Sequence, residues 1–346
     1  MPSILAPRRT GSHRPALAWF CFFALAWTTC LLYAGGFTTS IEAGMAFLDW
    51  PLSNGSINLD GWLTESDKMA EHSHRLLGAI VGALTITIAV WTFLSDARGW
   101  IRKLAWTVLG LVVFQGVLGG LRVVFDRLNT GGEGNLAAQT FRVLHACTAQ
   151  IFLCLLMAIA VAMTRRWIEQ NAGLQRPPSA DLRRAGLLAC VAIFAQLVLG
   201  ALMRHNQAGL AIPYFPHATA EGAWLPAFWS GQVGIHFLHR VWAVVVVIAL
   251  VNFAGRLWAS RHTGLVLGAG AVVLMALLSL QIYLGALVIW TLRNPHAATV
   301  HMLAGAFLLA CTWGLTFALH RFSIDQPPAV AASASSRPGR TPAVAP

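Results

Sequence analysis

Eight long apolar runs, separated by shorter polar stretches, set the pattern of the chain: roughly residues 16–36, 76–95, 103–124, 143–163, 184–203, 233–254, 263–290 and 298–319. A helix needs about 20 apolar residues to cross a bilayer core, and each run is close to that length. The seventh is longer, which leaves room for an interfacial end or a kink. The first run follows Arg8, Arg9 and Arg14 and ends in Ala34-Gly35-Gly36, as a signal peptide can. Its apolar length exceeds a usual signal core, and it has a counterpart in mid-chain, so it reads as a span.

Composition agrees with this pattern. Of 346 residues, 57% are hydrophobic and 11% charged, and the mean hydropathy is +0.63. One soluble core could not hide that much apolar surface. The net charge of +11 would suit nucleic acid only if the basic residues formed a face, and they cluster instead between apolar runs. Sixteen of the 24 Lys and Arg fall on one side: the N-terminus, the loop leading to Lys103, the 164–183 linker, the 255–262 loop and the C-terminal tail. The remaining eight are Lys68, Arg75, Arg122, Arg127, Arg142, Arg204, Arg240 and Arg293. The basic-rich side is expected to be cytoplasmic, with both termini there, in a cell (inner) membrane. The long polar loops at about 37–71 and 204–232 then face outward. All six cysteines lie in apolar stretches, so no disulfide framework is expected.

The two halves of the chain resemble each other. Gly35-Gly36 matches Gly200-Ala201, Ala43-Gly44 matches Ala208-Gly209, Pro51 matches Pro216, and His74-Arg75 matches His239-Arg240, all at an offset of 165. Gln115 and Gly119-Gly120 match Gln281 and Gly285-Ala286 at 166, and His145 matches His301 at 156. An even number of spans per half makes the repeats parallel, related by an axis along the membrane normal. The expected fold is all-α: a polytopic membrane protein with eight transmembrane helices as two parallel-repeat four-helix bundles. The expected divisions are 1–165, a cytoplasmic linker at 166–183 around Gln175-Arg176-Pro177-Pro178, 184–325, and a disordered Pro-, Ala- and Ser-rich tail at 326–346.

The repeat sorts the chemistry. Of twelve histidines, only His74, His145, His239 and His301 occupy duplicated positions at the outward ends of even-numbered spans. Two histidines on facing helices of a bundle can ligate one haem iron from both faces. His74 and His145 form one pair, His239 and His301 the other. Zinc is a poorer fit, because no Cys accompanies them and no close His-x-x-x-His occurs. Arg75 and Arg240 directly follow a ligand candidate and point elsewhere around the helix. They could bind porphyrin propionates or reach the interface as snorkelling cations. Glu71 stands one helical turn before His74, where the other half has His236. A carboxylate beside one pair alone could act as base or proton acceptor, or it could be an ordinary acid near a helix N-terminus. Gln115 and Gln281 could be partners of the ligand histidines, but interhelical hydrogen-bond glue is the stronger reading. His72 lacks a counterpart, and His205, His217 and His296 are assigned to outer loops.

The run from Gly35 to Gly44, then Asp49-Trp50-Pro51, Glu71-His72-Ser73-His74-Arg75, Gln115 to Gly120, His145, His239-Arg240 and His301 resembles the haem A synthase family across roughly residues 16–320. The resemblance implies oxidation of the C8 methyl of haem O to a formyl group through a hydroxymethyl haem, giving haem A for terminal oxidases, with water as the oxygen source. It assigns substrate haem to His74 and His145, haem b to His239 and His301, and a functional role to Glu71. The cysteine pair that some bacterial members carry in the first outer loop is absent here. Haem O, haem A and membrane lipid are the expected partners, with a haem O synthase and an unidentified electron acceptor as candidates, no nucleic acid, and a homo-oligomer left open. A di-haem b-type electron carrier linked to quinol is the competing function. The Glu71/His236 difference favours the enzyme, since a carrier has no need of unequal sites. A haem transporter is less suited, because the span interiors carry few ionisable residues.

Overall fold

The structure, a computed structural model, describes residues 12–57, 60–128, 135–169 and 171–324. Its α-helices are α1 Pro15–Ser40, α2 Ser66–Ser95, α3 Gly99–Leu128, α4 Leu136–Met163, α5 Arg165–Glu169, α6 Ala180–His205, α7 Gly231–Ala259, α8 Leu265–Trp290, α9 Pro295–Leu319 and α10 Arg321–Ile324. All but α5 and α10 are long and apolar enough to span a membrane, which makes eight spans, and no strand forms among the described residues. The protein is therefore all-α with eight candidate membrane helices, as the apolar runs predict. The tail expected to be disordered lies outside the described residues.

The helices outrun the apolar runs at their loop ends. α2 begins at Ser66 and α4 at Leu136, well before the runs at 76 and 143, so polar residues continue the same helices out of the apolar layer. Caps set the starts. The side chains of Asn135, Ser179, Ser230 and Asn294 accept backbone N–H groups at the first turns of α4, α6, α7 and α9, supplying partners that those N–H groups lack inside the helix. Pro15 and Pro295 open α1 and α9, where a missing N–H costs nothing. α8 is unbroken from Leu265 to Trp290, and a short 3₁₀ turn at Arg261–Thr263 precedes it. The long seventh run thus forms one helix with no kink.

Consecutive helices pack as neighbours within α1–α4 and within α6–α9, and the first of each set also meets the fourth. Contacts between the sets run through α4 with α9, α1 with α9, and α4 with α6. α4 and α9 are accordingly central: 61% and 56% of their apolar windows are buried, against 22–33% for the other six. The outer helices turn side chains such as Trp19, Leu94, Val113, Ile248 and Val272 outward. A bilayer, unlike water, makes such exposure favourable.

The linker holds more structure than a plain boundary. α5 inserts Trp167, fully buried, against Phe317 of α9, with stacked rings 4.6 Å apart. Arg321 donates to the Trp167 carbonyl at 3.0 Å, and Gln175 N donates to Thr263 O at 2.9 Å. The end of α9 is thereby tied to the chain that follows α4.

Candidate functional site

Each of the four duplicated histidines lies within the first turns of its helix, on α2, α4, α7 and α9. Each ring rests on a glycine of the preceding spanning helix. A Cβ added at Gly35 would come within 2.6 Å of His74 Cε1, at Gly285 within 3.1 Å of His301 Cε1, and at Gly200 within 3.3 Å of His239 Cε1. At Gly119 it would lie 3.5 Å from His145 Cε1, an ordinary contact. The duplicated glycines thus mark where an imidazole lies flat on a helix backbone. Their second members serve other neighbours. Gly120 faces the Trp50 ring, and Gly36 faces Met302 and Thr299 of α9.

His74 and His145 face each other with ring centres 6.5 Å apart and planes at 88°. Two imidazoles that share a metal from opposite faces, with metal–nitrogen bonds of about 2 Å, hold their ring centres about 6 Å apart. His239 and His301 lie close enough for the charge of one to be felt by the other. Nδ1 of all four rings is buried without a hydrogen-bond partner, a cost of about 1–3 kcal/mol each. The carbonyls of Leu31, Gln115 and Gln281 lie beside the rings of His74, His145 and His301. Each is one turn from the supporting glycine on the same face. A ligating imidazole donates its second N–H to such an acceptor.

Glutamines brace two of the rings. Gln115 Nε2 donates to His145 O at 3.2 Å and to Thr148 Oγ1 at 2.8 Å. Gln196 Nε2 donates to His239 O at 3.0 Å and also reaches His239 Nε2 at 3.2 Å. An amide nitrogen that donates to both leaves Nε2 the acceptor; a metal at Nε2 would take over that lone pair, while the bond to His239 O could remain. Gln115 is interhelical glue, as its position suggests. Gln196 is the brace that pattern matching overlooks, because its partner at an offset of 165 is Leu31. Among the described residues no three His, Cys, Asp or Glu side chains gather as a metal cage. Two imidazoles leave a metal short of ligands, so the arrangement suits an iron that brings its own equatorial ring.

Glu71, Arg75, His236 and Arg240 form a different structure. Arg75 donates from Nη1 to the carbonyls of Asp49 (2.8 Å) and Leu52, and from Nη2 to Phe47 O at 3.4 Å. Arg240 donates to His217 O at 3.0 Å, Ile212 O at 2.9 Å and Tyr214 O at 2.6 Å. Phe47, Asp49 and Leu52 plus 165 are Ile212, Tyr214 and His217. Both guanidiniums therefore clamp equivalent points of the α1–α2 and α6–α7 loops. Glu71 completes the first clamp: Oε1 pairs with Arg75 at 2.5 Å and Oε2 accepts Phe47 N–H at 3.1 Å. His236 Nδ1 accepts the equivalent Ile212 N–H at 3.3 Å. The acid and the histidine thus share one hydrogen-bonding role and differ in charge. Asp49 stiffens the first loop by accepting Asn54 N–H at 2.9 Å and Gly55 N–H at 2.8 Å. Burial pushes its carboxyl up, but those N–H groups and Arg75 outweigh it and hold it below the usual carboxylate value.

His72 is buried, bonded to Ser53 Oγ at 2.8 Å and packed on Trp62. His205 closes α6 and is not a loop residue; its charged neighbours are Arg204, Arg142, Arg122 and His145. That cluster is the part of the site that adjacency to the histidines does not reveal. Its one signal in the sequence is basic residues at the outward ends of apolar runs. Arg122 on α3 acts on both His74 and His145, and Arg204 acts on His301.

Fold and site together define a class: a multi-span, all-helical membrane protein with paired histidines facing each other between helices. A model of the COX15-CtaA family, described as a cytochrome oxidase assembly protein, matches residues 18–313, and the chain belongs to that family. Relatives named “Heme A synthase” are similar over most of the chain. The one from Halalkalibacterium halodurans is 29% identical over 64% of this chain and 69% of its own. Those from Geobacillus kaustophilus and Sphingopyxis alaskensis are 27% and 28% identical, over 87% and 85% of this chain and 89% and 90% of theirs.

Proposed function

We propose that the chain is a haem A synthase, an oxidoreductase that converts the C8 methyl of haem O to a formyl group through a hydroxymethyl stage. The observation that carries this reading, within the family, is Glu71: a buried carboxylate one turn from His74 where the second half has a neutral side chain in the same hydrogen-bonding role. A di-haem carrier has no use for that difference.

In this reading His74 and His145 would hold the iron of haem O. The four supporting glycines and the glutamine braces set the ring positions, so little ordering remains to be done on binding. Each two-electron step from methyl to hydroxymethyl to formyl level releases protons, and water supplies the oxygen. Glu71 is the carboxylate to which this reading assigns such a proton. Both its oxygens are engaged, so protonation weakens its hold on Arg75 or Phe47 and couples proton uptake to the loop clamp. Arg75 and Arg240 wall the two sites by holding those loops. His239 and His301 hold a haem b, which supplies a one-electron relay when bound. The electrons leave to an acceptor outside the chain, and a haem O synthase is the natural source of substrate. The architecture proposed is two four-helix halves within 1–165 and 184–325, joined by a cytoplasmic linker. Both termini are cytoplasmic and the haem sites lie towards the outer face.

The test is expression in a host that makes haem O and lacks this activity, followed by chromatography of extracted haems. Haem A is expected to accumulate. Bound haem b with neither haem A nor hydroxymethyl haem, with substrate and electron acceptor supplied, overturns the reading.

A further inference from the structure

The first chamber contains a cation that the clamp does not use. Arg122 lies one turn along α3 from Gly119, the glycine beneath His145. Its side chain is 22% exposed, and it is the charged group whose field reaches both His74 and His145. Nη2 donates to Gly44 O, and a Cβ at Gly44 would collide with the guanidinium. Nε is buried without a hydrogen-bond partner and lies 3.6 Å from Asp126. Asp126 is shared, since both its oxygens also receive Arg142. Two guanidiniums therefore divide one carboxylate.

The second chamber has the same feature from a different helix. Arg204 lies one turn along α6 from Gly200, the glycine beneath His239, and its field reaches His301. It donates to Gly36 O and to Ser40 Oγ, the latter at 2.6 Å. Among the described residues no carboxylate pairs with it, and the charge that bears on it is another cation, Arg293, itself paired with Glu42 at 3.2 Å. A cation held out of water with no anion is costly. Each chamber is thus short of negative charge on the side that carries its arginine. A haem bound between two histidines presents two carboxylates at one edge and apolar groups elsewhere.

Resting on the haem reading above, we infer that Arg122 and Arg204 are the anchors for the carboxylate edge of the porphyrin in the first and second chambers. Arg122 is assisted by Arg142. Arg75 and Arg240, each already held by three loop carbonyls, are not the anchors. The assignment fixes orientation: the carboxylate edge faces the Gly36–Gly44 segment, to which both guanidiniums bond.

The experiment compares binding of iron protoporphyrin and its dimethyl ester by optical titration of the full-length protein. The first chamber is read in a His239→Ala/His301→Ala background and the second in a His74→Ala/His145→Ala background. With arginine present, the free acid should bind at least about tenfold more tightly than the ester, as expected for charge-assisted hydrogen bonds. Arg122→Gln and Arg204→Gln should each bring that ratio to near one in their own chamber by weakening the acid, with the ester unchanged. Arg122→Lys should retain most of the preference. A preference for the acid that survives the glutamine variants overturns the assignment while leaving the haem chambers standing. Equal loss of acid and ester also overturns it, because it marks the arginine as purely structural. Failure of both parent backgrounds to bind either porphyrin removes the haem reading itself, and this inference with it.

Discussion

At the scale of single residues, the site depends on how closely an imidazole can approach a helix backbone. The Cβ contacts at Gly35 and Gly119 differ by enough to predict opposite results. Gly35→Ala should displace His74 and abolish the low-spin absorption of a bis-histidine haem in the first chamber, whereas Gly119→Ala should leave it intact. Spectra of the two reconstituted variants in the His239→Ala/His301→Ala background check this, and equal behaviour would contradict the geometry. Glu71 offers a second separation. Gln at this position still accepts Phe47 N–H but carries no charge. Glu71→Gln is expected to change stability by about 1 kcal/mol and to cut turnover at least tenfold. Glu71→Ala leaves Arg75 partly unpaired and should destabilise by about 1–3 kcal/mol. Turnover and thermal unfolding of the two variants side by side distinguish a chemical from a supporting role. The four candidate histidines stand out in the sequence because duplication selects them from twelve. Arg122 and Arg204 were not, because they have no counterparts at the repeat offset and approach the ligands only across helices.

At the scale of helices, a simple unit recurs. A helix supplies a glycine beneath the imidazole and, one turn back on the same face, a second residue, whose carbonyl lies beside the ring of His74, His145 and His301. Glutamine holds that position in α3, α6 and α8, while α1 has Leu31. His74 is therefore the histidine with no glutamine at that position, and it belongs to the chamber proposed for substrate, where a weaker hold suits release. Gln196→Leu should loosen the second chamber, raising its dissociation constant for haem by about 2–10-fold, as loss of one or two ordinary hydrogen bonds implies. Leu31→Gln should tighten the first. Haem retention during dialysis of both variants measures the effect, and no change in either would mean that the braces serve packing alone. Helix identity and number were legible from apolar run length. Helix starts were not, since α2 and α4 continue through polar residues that a search for membrane-length runs passes over.

At the scale of the whole molecule, α4 and α9 lie at the centre, contact each other and carry one of the candidate histidines apiece, His145 and His301. Their ends remote from the histidines are joined by Trp167 of α5, stacked on Phe317. Trp167→Ala should cost about 3–5 kcal/mol of stability, the usual effect of emptying an aromatic core site. It should leave the haem absorption unchanged below the unfolding transition, because it acts at the opposite end of the helices from the histidines. Thermal unfolding in detergent with absorption followed in parallel tests this, and loss of the haem bands at low temperature would show that the two ends are coupled.

The sequence by itself determined the helical membrane class, the eight spans, the doubling of motifs and the four candidate ligands. Each of these is written in local length, composition or spacing, which a linear pattern preserves. Only the tertiary structure decided what the neighbouring charges do. Arg75 and Arg240 adjoin the ligands in sequence yet spend their donors on loop carbonyls. Glu71 and His236 differ in charge yet accept the same N–H. Arg122 and Arg204 reach the ligands from separate helices. Hydrogen bonds and fields act through space over a few ångströms, and which groups come that close is set by how the helices pack.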